Sequence, residues 1–97
     1  MRVRYTRRAV ADLDQIADHL SPRSTQGARN VRAATTSSVQ DLVTFPRLGR
    51  MQTTEATRKL VVRKYPYLVY YTVDDDAEEI AILAIQHSSR ERELTDR

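Results

Sequence analysis

Three short apolar runs follow one another in the second half of the chain, and the links between them are too brief for anything but hairpins. The runs are residues 59–64, holding Leu60, Val61 and Val62; residues 67–73, rich in Tyr and Val; and residues 80–85, apolar throughout. β-Branched and aromatic side chains at this density suit a pleated, half-buried surface. Tyr65-Pro66 separates the first run from the second, and an acidic stretch, Asp74-Asp75-Asp76-Ala77-Glu78-Glu79, separates the second from the third. Neighbouring antiparallel strands are therefore expected.

The first half supplies the cover such a sheet needs. Ala9, Leu13, Ile16, Ala17 and Leu20 recur at three- and four-residue spacing, which predicts a helix capped near Thr6 and ended by Ser21-Pro22. Asp12, Asp14 and Asp18 lie off that stripe and are expected to point elsewhere. Ala28, Val31, Thr35, Ser38, Leu42 and Phe45 keep the same rhythm after the capping pair Ser24-Thr25, predicting a longer helix to about Thr44. The short link from Leu20 to Thr25 folds the two back as an antiparallel hairpin. Its seam is small and polar through residues 33–38, which favours close approach over large apolar area. Val3 and Tyr5 alternate with charged residues in an opening strand, and Phe45-Pro46-Arg47-Leu48-Gly49-Arg50 breaks the helical period as a loop carrying two arginines. The order strand, helix, helix, strand, strand, strand describes one α+β domain over residues 1–97, with a helical hairpin on one face of a mostly antiparallel sheet.

Composition excludes several functions. The longest apolar run is six residues, Ile80–Ile85, against the roughly 18 that suggest a membrane span. The N-terminus has no apolar signal-peptide core, so a cytoplasmic address is expected. With no cysteine, disulfides and thiolate metal sites are ruled out. Gly27 and Gly49 stand too far apart for a phosphate loop, the acidic stretch lacks calcium-loop spacing, and His19 and His87 cannot close a zinc site alone. No metal or cofactor is expected.

Charge is distributed unevenly. Residues 1–50 carry nine basic and four acidic side chains, residues 51–97 seven and nine, for a net charge of +3. Fourteen of the sixteen bases are Arg, suited to bidentate contact with phosphate or carboxylate. His19, beside Leu20 on the first helix, reads as a surface histidine without a role. His87 closes the last apolar run and precedes Arg90 and Arg92, which sets an imidazole near guanidinium groups, able to act as a base or accept a hydrogen bond. Arg58-Lys59 and Arg63-Lys64-Tyr65-Pro66-Tyr67 interleave cations with aromatic rings. That arrangement permits nucleic-acid contact as a secondary property, although the alternation of the tyrosines is the pattern of sheet packing.

Ala9, Asp12-Leu13 and Ile16; Leu42, Phe45-Pro46 and Gly49-Arg50; Arg58-Lys59-Leu60-Val61-Val62; and Tyr65 through Tyr71, Ile80–Ile85, His87 and Arg90 follow one another along the chain. In that order and spacing the chain resembles the RelE/ParE superfamily of type II toxins. The resemblance implies a small toxin neutralised by a ParD-like antitoxin. The Tyr65-Pro66-Tyr67 segment and the His87-x-x-Arg90 ending look like the ParE branch, which implies a non-enzymatic poison of DNA gyrase that blocks replication. The alternative is the RelE branch, a ribosome-dependent mRNA endoribonuclease, for which Lys59, Lys64, His87 and Arg90 would be the catalytic set. That branch is similar to a pattern with an arginine opening the strand, where this chain has Tyr65-Pro66-Tyr67, and with a tyrosine after the last strand, where residues 91–97 have none. Target contacts are expected at Arg58, Arg63, His87, Arg90 and Arg92. Antitoxin contacts are expected along the helical hairpin at Leu13, Ile16, Leu20, Val31 and Leu42, and at a sheet edge.

Overall fold

The computed structural model describes residues 1–53 and 56–90. Strand β1 (Arg2–Tyr5) leads into α1 (Arg7–Leu20) and α2 (Thr25–Thr44), followed by β2 (Arg50–Met51), β3 (Thr57–Val61), β4 (Tyr67–Asp74), β5 (Glu79–His87) and one 3₁₀ turn, Ser88–Arg90. The strands form one sheet in the order β1-β5-β4-β3-β2, with β1 parallel to β5 and every other pair antiparallel. Helices and strands thus follow the expected order. The one added strand is β2, which starts at Arg50, the last residue of the expected loop, and is drawn to the sheet edge by pairing Arg50 with Lys59 and Met51 with Arg58.

Local chemistry accounts for the element ends. The Thr6 hydroxyl accepts from Ala9 N at 3.2 Å and reaches the carbonyls of Ile82 and Leu83 at 2.8 and 3.1 Å, so a single side chain caps α1 and ties it to β5. Ser24 caps α2 by accepting from Gly27 N at 2.9 Å. The β3–β4 connection closes with Tyr67 N donating to Tyr65 O across Pro66, a three-residue turn, and Lys64 sits in the left-handed region at φ 74°. Strand β3 ends at Val61, earlier than the apolar run implied; Val62 N still donates to Tyr67 O at 2.9 Å, and the turn takes residues 63–66.

One face of the sheet packs on the helices. Leu60, Val62, Val69, Tyr71, Ile80, Ile82 and Ile85 meet Ala9, Leu13, Val31, Val39 and Leu42 in a single core. Leu68, Tyr70 and Ala84 are buried on the other face, which explains why the β4 and β5 runs are nearly continuously apolar. Opposite Tyr70 and Tyr71 lie Ala84 and Ile82, so Leu83 is the extra residue of a bulge. The bulge places both Ile82 and Ile85 on the helical face despite their three-residue spacing. Along α2, Thr35 is fully buried and returns its hydroxyl to Val31 O at 2.8 Å, which makes the small-residue seam compatible with burial.

Candidate functional site

Strand β1 covers the outer edge of β5 only from Glu79 to Ile82. Beyond that point α1 lies against the edge and its side chains replace a strand. Asp12 Oδ2 accepts from Ile85 N at 2.9 Å, satisfying a backbone donor that would otherwise be an open sheet edge. Asp12 is thus turned toward the sheet, contrary to the sequence expectation, because the edge donor it meets comes from a residue 73 positions away.

Between α1 and the end of β5 runs a cleft of about 410 Å³. Arg8, Asp12, Gln15, Ile16 and His19 line one wall, residues that spacings of three and four place on one helical face. Tyr67, Ile85, Gln86, His87 and Arg90 line the other. Arg8 Nε lies 3.4 Å from Asp12 Oδ2. With its amide oxygen facing a donor, buried Gln86 accepts from Arg8 Nη2 at 2.8 Å and donates to Arg90 O at 3.2 Å. His87 Nδ1 accepts from Ser89 N at 3.1 Å and lies 3.0 Å from Ser89 Oγ, which leaves Nε2 as the proton-bearing nitrogen of the neutral ring. The imidazole meets Tyr67 edge-on, with ring centres 5.4 Å apart. Burial pushes the Tyr67 phenol above its ordinary value, so it stays protonated and remains a donor. Ser88 N donates to Pro66 O at 2.8 Å and holds the β3–β4 turn against this wall. Among the described residues, the one carboxylate lining the cleft is that of Asp12, engaged by Ile85 N and Arg8, so the described lining suits an anionic group.

The sequence-predicted residues do not all converge here. His87 and Arg90 line the cleft. Arg63 stands 3.5 Å from Asp41 of α2. Arg58 is paired with Tyr71 in the register, while His87 is paired with Tyr67 four residues back along β4, a separation of roughly 13 Å. Its guanidinium is tied to Gly49 O at 2.8 Å. Arg92 lies outside the described residues. Lys59 pairs with Tyr70 and shares its face, whereas His87 shares the face of Tyr67 and Ile85. Of the residues expected to meet an antitoxin, Leu13, Val31 and Leu42 are buried in the core and have no area to offer, because the helical stripe that carries them is the one covering the sheet. Ile16 and Leu20 are half-buried, and Ile16 reaches the cleft. His19, read as a histidine without a role, lines the same cleft as His87. The polar stripe Arg8, Asp12, Gln15, His19 at helical spacing was the available signal for this wall.

A second organised region occupies the opposite edge of the sheet. The buried Tyr71 hydroxyl accepts from Gly49 N and donates to Pro46 O, both at 2.8 Å, and so latches the loop between α2 and β2. Gly49 is required there, since a Cβ would stand 2.7 Å from the Tyr71 hydroxyl and 2.9 Å from the Lys59 carbonyl oxygen. Burial raises the Tyr71 phenol, and the Gly49 hydrogen bond with the nearby Arg58 and Arg47 guanidinium groups partly opposes the rise.

Comparison with known proteins agrees with this architecture. The chain is 31% identical over 90 residues to a protein of Sinorhizobium fredii called putative toxin Y4kP, spanning 93% of this chain and 91% of that one. It is 32% identical over 89 residues to toxin RelE2 of Caulobacter vibrioides, spanning 92% and 97%. Its fold superposes on a chain of the chromosomal ParDE toxin–antitoxin system of P. aeruginosa with a TM-score of 0.78 and 29% identity, covering 90% of this chain and 95% of that one. The profile of the ParE toxin of type II toxin–antitoxin systems matches residues 3–92, and with the helical hairpin, the five-stranded sheet and these relatives, the chain belongs to that toxin family.

Proposed function

We propose that this toxin acts on DNA gyrase as a binding poison, without cutting RNA, and that a ParD-like antitoxin holds it inactive in the cytoplasm. The observation that carries this reading is the position of Lys59 on the sheet face opposite that of His87, which lines the cleft together with Arg90. Cleavage of a ribose phosphodiester needs proton-transfer groups and a cationic stabiliser within hydrogen-bond reach of the same few atoms. The Lys59, Lys64, His87 and Arg90 set is split between two faces and a turn. The antitoxin part is supported by the P. aeruginosa likeness, which comes from a toxin–antitoxin system. Ile16 and Leu20, half-buried along α1, are the sites proposed for its apolar anchors.

Purified protein added to gyrase, relaxed plasmid and ATP is expected to accumulate linear cleaved DNA, and unchanged cleavage at large toxin excess would reject the reading. The endoribonuclease alternative rests on one feature, the His87 imidazole beside Tyr67 and Arg90 in an anion-receptive cleft. It predicts codon-positioned breaks in message on programmed ribosomes, abolished by His87→Ala and Arg90→Ala.

A further inference from the structure

One buried amide ties the two walls of the cleft together. Gln86, only 5% exposed, accepts from Arg8 Nη2 at 2.8 Å and donates to Arg90 O at 3.2 Å. A single side chain thus fixes the arginine of one wall and the backbone that carries the arginine of the other. Both arginines line the cleft. Arg8 is shared with Asp12, whereas Arg90 makes no ion pair among the described residues. Ser89 N occupies Nδ1 of His87, which leaves the Nε2 proton as a donor, and His19 brings a second imidazole from α1. The charged and titratable groups of the lining are Arg8, Asp12, His19, Tyr67, His87 and Arg90. Two guanidinium groups therefore face one carboxylate, and that carboxylate is already engaged by Ile85 N.

We propose that the cleft is a seat for a single phosphate group, gripped between Arg8 and His19 on the α1 wall and Tyr67, His87 and Arg90 on the other, with Gln86 as the residue that positions the two arginines. A carboxylate presents a coplanar pair of oxygens and is satisfied by donors from one side. A phosphate presents strong acceptor oxygens on several sides and takes donors from both walls at once. The planar fork of arginine matches such an oxyanion bidentately. The seat is preset, because Gln86 and Asp12 hold Arg8, and Ser89 holds His87, before a ligand arrives. Groups fixed in advance lose little freedom on binding. The cleft, at about 410 Å³, falls in the range of small-ligand sites. A phosphate could enter it on a small phosphomonoester or as part of a nucleic-acid backbone, and the chemistry of the grip is the same. The inference goes beyond the gyrase reading and does not depend on it, and no bond is made or broken in the seat.

The test is an amide chemical-shift titration of the purified full chain with inorganic phosphate, at constant ionic strength set by sodium chloride. Wild type is expected to show saturable shifts, described by one site and confined to the amides around Arg8, Gln86, His87 and Arg90. Arg90→Gln is expected to weaken phosphate at least about tenfold, the size of one lost charge-assisted hydrogen bond. His87→Gln and Gln86→Met should each weaken it by a smaller factor, the second by releasing the arginines. Arg23→Gln removes an exposed cation outside the cleft and should leave the affinity unchanged. Because Gln86 is buried, its variant is accompanied by a melting temperature, and the exposed positions Arg90 and His87 decide the outcome without it. Wild-type affinity in Arg90→Gln, shifts scattered over the surface, no response in wild type, or an equal loss in Arg23→Gln would each overturn the seat. Repeating the titration with a nucleoside monophosphate and with an unphosphorylated DNA duplex separates the sources. Tighter binding of the monophosphate, lost in Arg90→Gln, assigns the seat to a small phosphomonoester, and tighter binding of the duplex with the same loss assigns it to a nucleic-acid backbone.

Discussion

The two edges of the sheet are built on opposite plans. At the β5 edge, polar side chains from α1 satisfy the strand and face an open cleft, with Asp12 bonded to Ile85 N and Arg8 to Gln86. At the β2 edge the polar groups are inside, Tyr71 and Arg58 holding backbone from below, and the apolar tips of Phe45, Leu48 and Met51 are outside. One edge displays charge on a scaffold of hydrogen bonds to side chains; the other hides its hydrogen bonds to display apolar area. Stability should therefore be concentrated in the buried latch, and recognition in the open cleft.

The largest effect should come from removing the latch. Tyr71→Ala deletes a fully buried ring and is expected to cost about 3–5 kcal/mol, read as a shifted denaturant midpoint. Tyr71→Phe keeps the ring and leaves Gly49 N and Pro46 O without their partner, for about 1–3 kcal/mol. Gly49→Ala should fall in the same range of about 1–3 kcal/mol, because the Lys59 backbone that its Cβ meets cannot swing aside. If Gly49→Ala proves neutral, the loop is more adaptable than its hydrogen bonds imply.

At the other edge the effects should be smaller. Asp12→Ala leaves the Ile85 N–H unsatisfied and is expected to cost about 1–2 kcal/mol, with faster hydrogen exchange at that amide. His87→Gln, at an exposed strand end, should change stability by less than about 0.5 kcal/mol, so any loss of toxicity in that variant reports on function.

Alkaline titration gives a further contrast. The Tyr5, Tyr67 and Tyr71 phenols are all raised above their ordinary value by burial. Folding therefore favours the protonated phenols, and their contribution is fully present below about pH 10. It is lost as pH rises from there through the raised folded values. Stability should fall across that alkaline window, and less steeply in Tyr71→Phe than in wild type.

Much of this architecture was legible in the chain. Apolar spacing located both helices to within a residue or two, Ser24 and Thr6 announced their caps, and the short links at Tyr65-Pro66 and at residues 74–79 required hairpins. The cleft was half legible. His87 and Arg90 stood out because they follow an apolar strand, but Asp12 was expected to point away from the core and His19 read as a surface histidine. A polar residue beside an apolar stripe looks the same whether it faces water or a strand edge.

What the sequence by itself determined was both helices, four of the five strands, their hairpin connections and the family, since these depend on spacings of a few residues. Only the tertiary structure decided which distant residues meet. The parallel docking of β1 on β5, the bulge at Leu83 and the strand order set the partner of Asp12, the place of His19 on the cleft wall and the reach of Tyr71 to Gly49. The physical reason is that strand register is a property of two segments together, and shifting it by one residue exchanges the faces of every side chain.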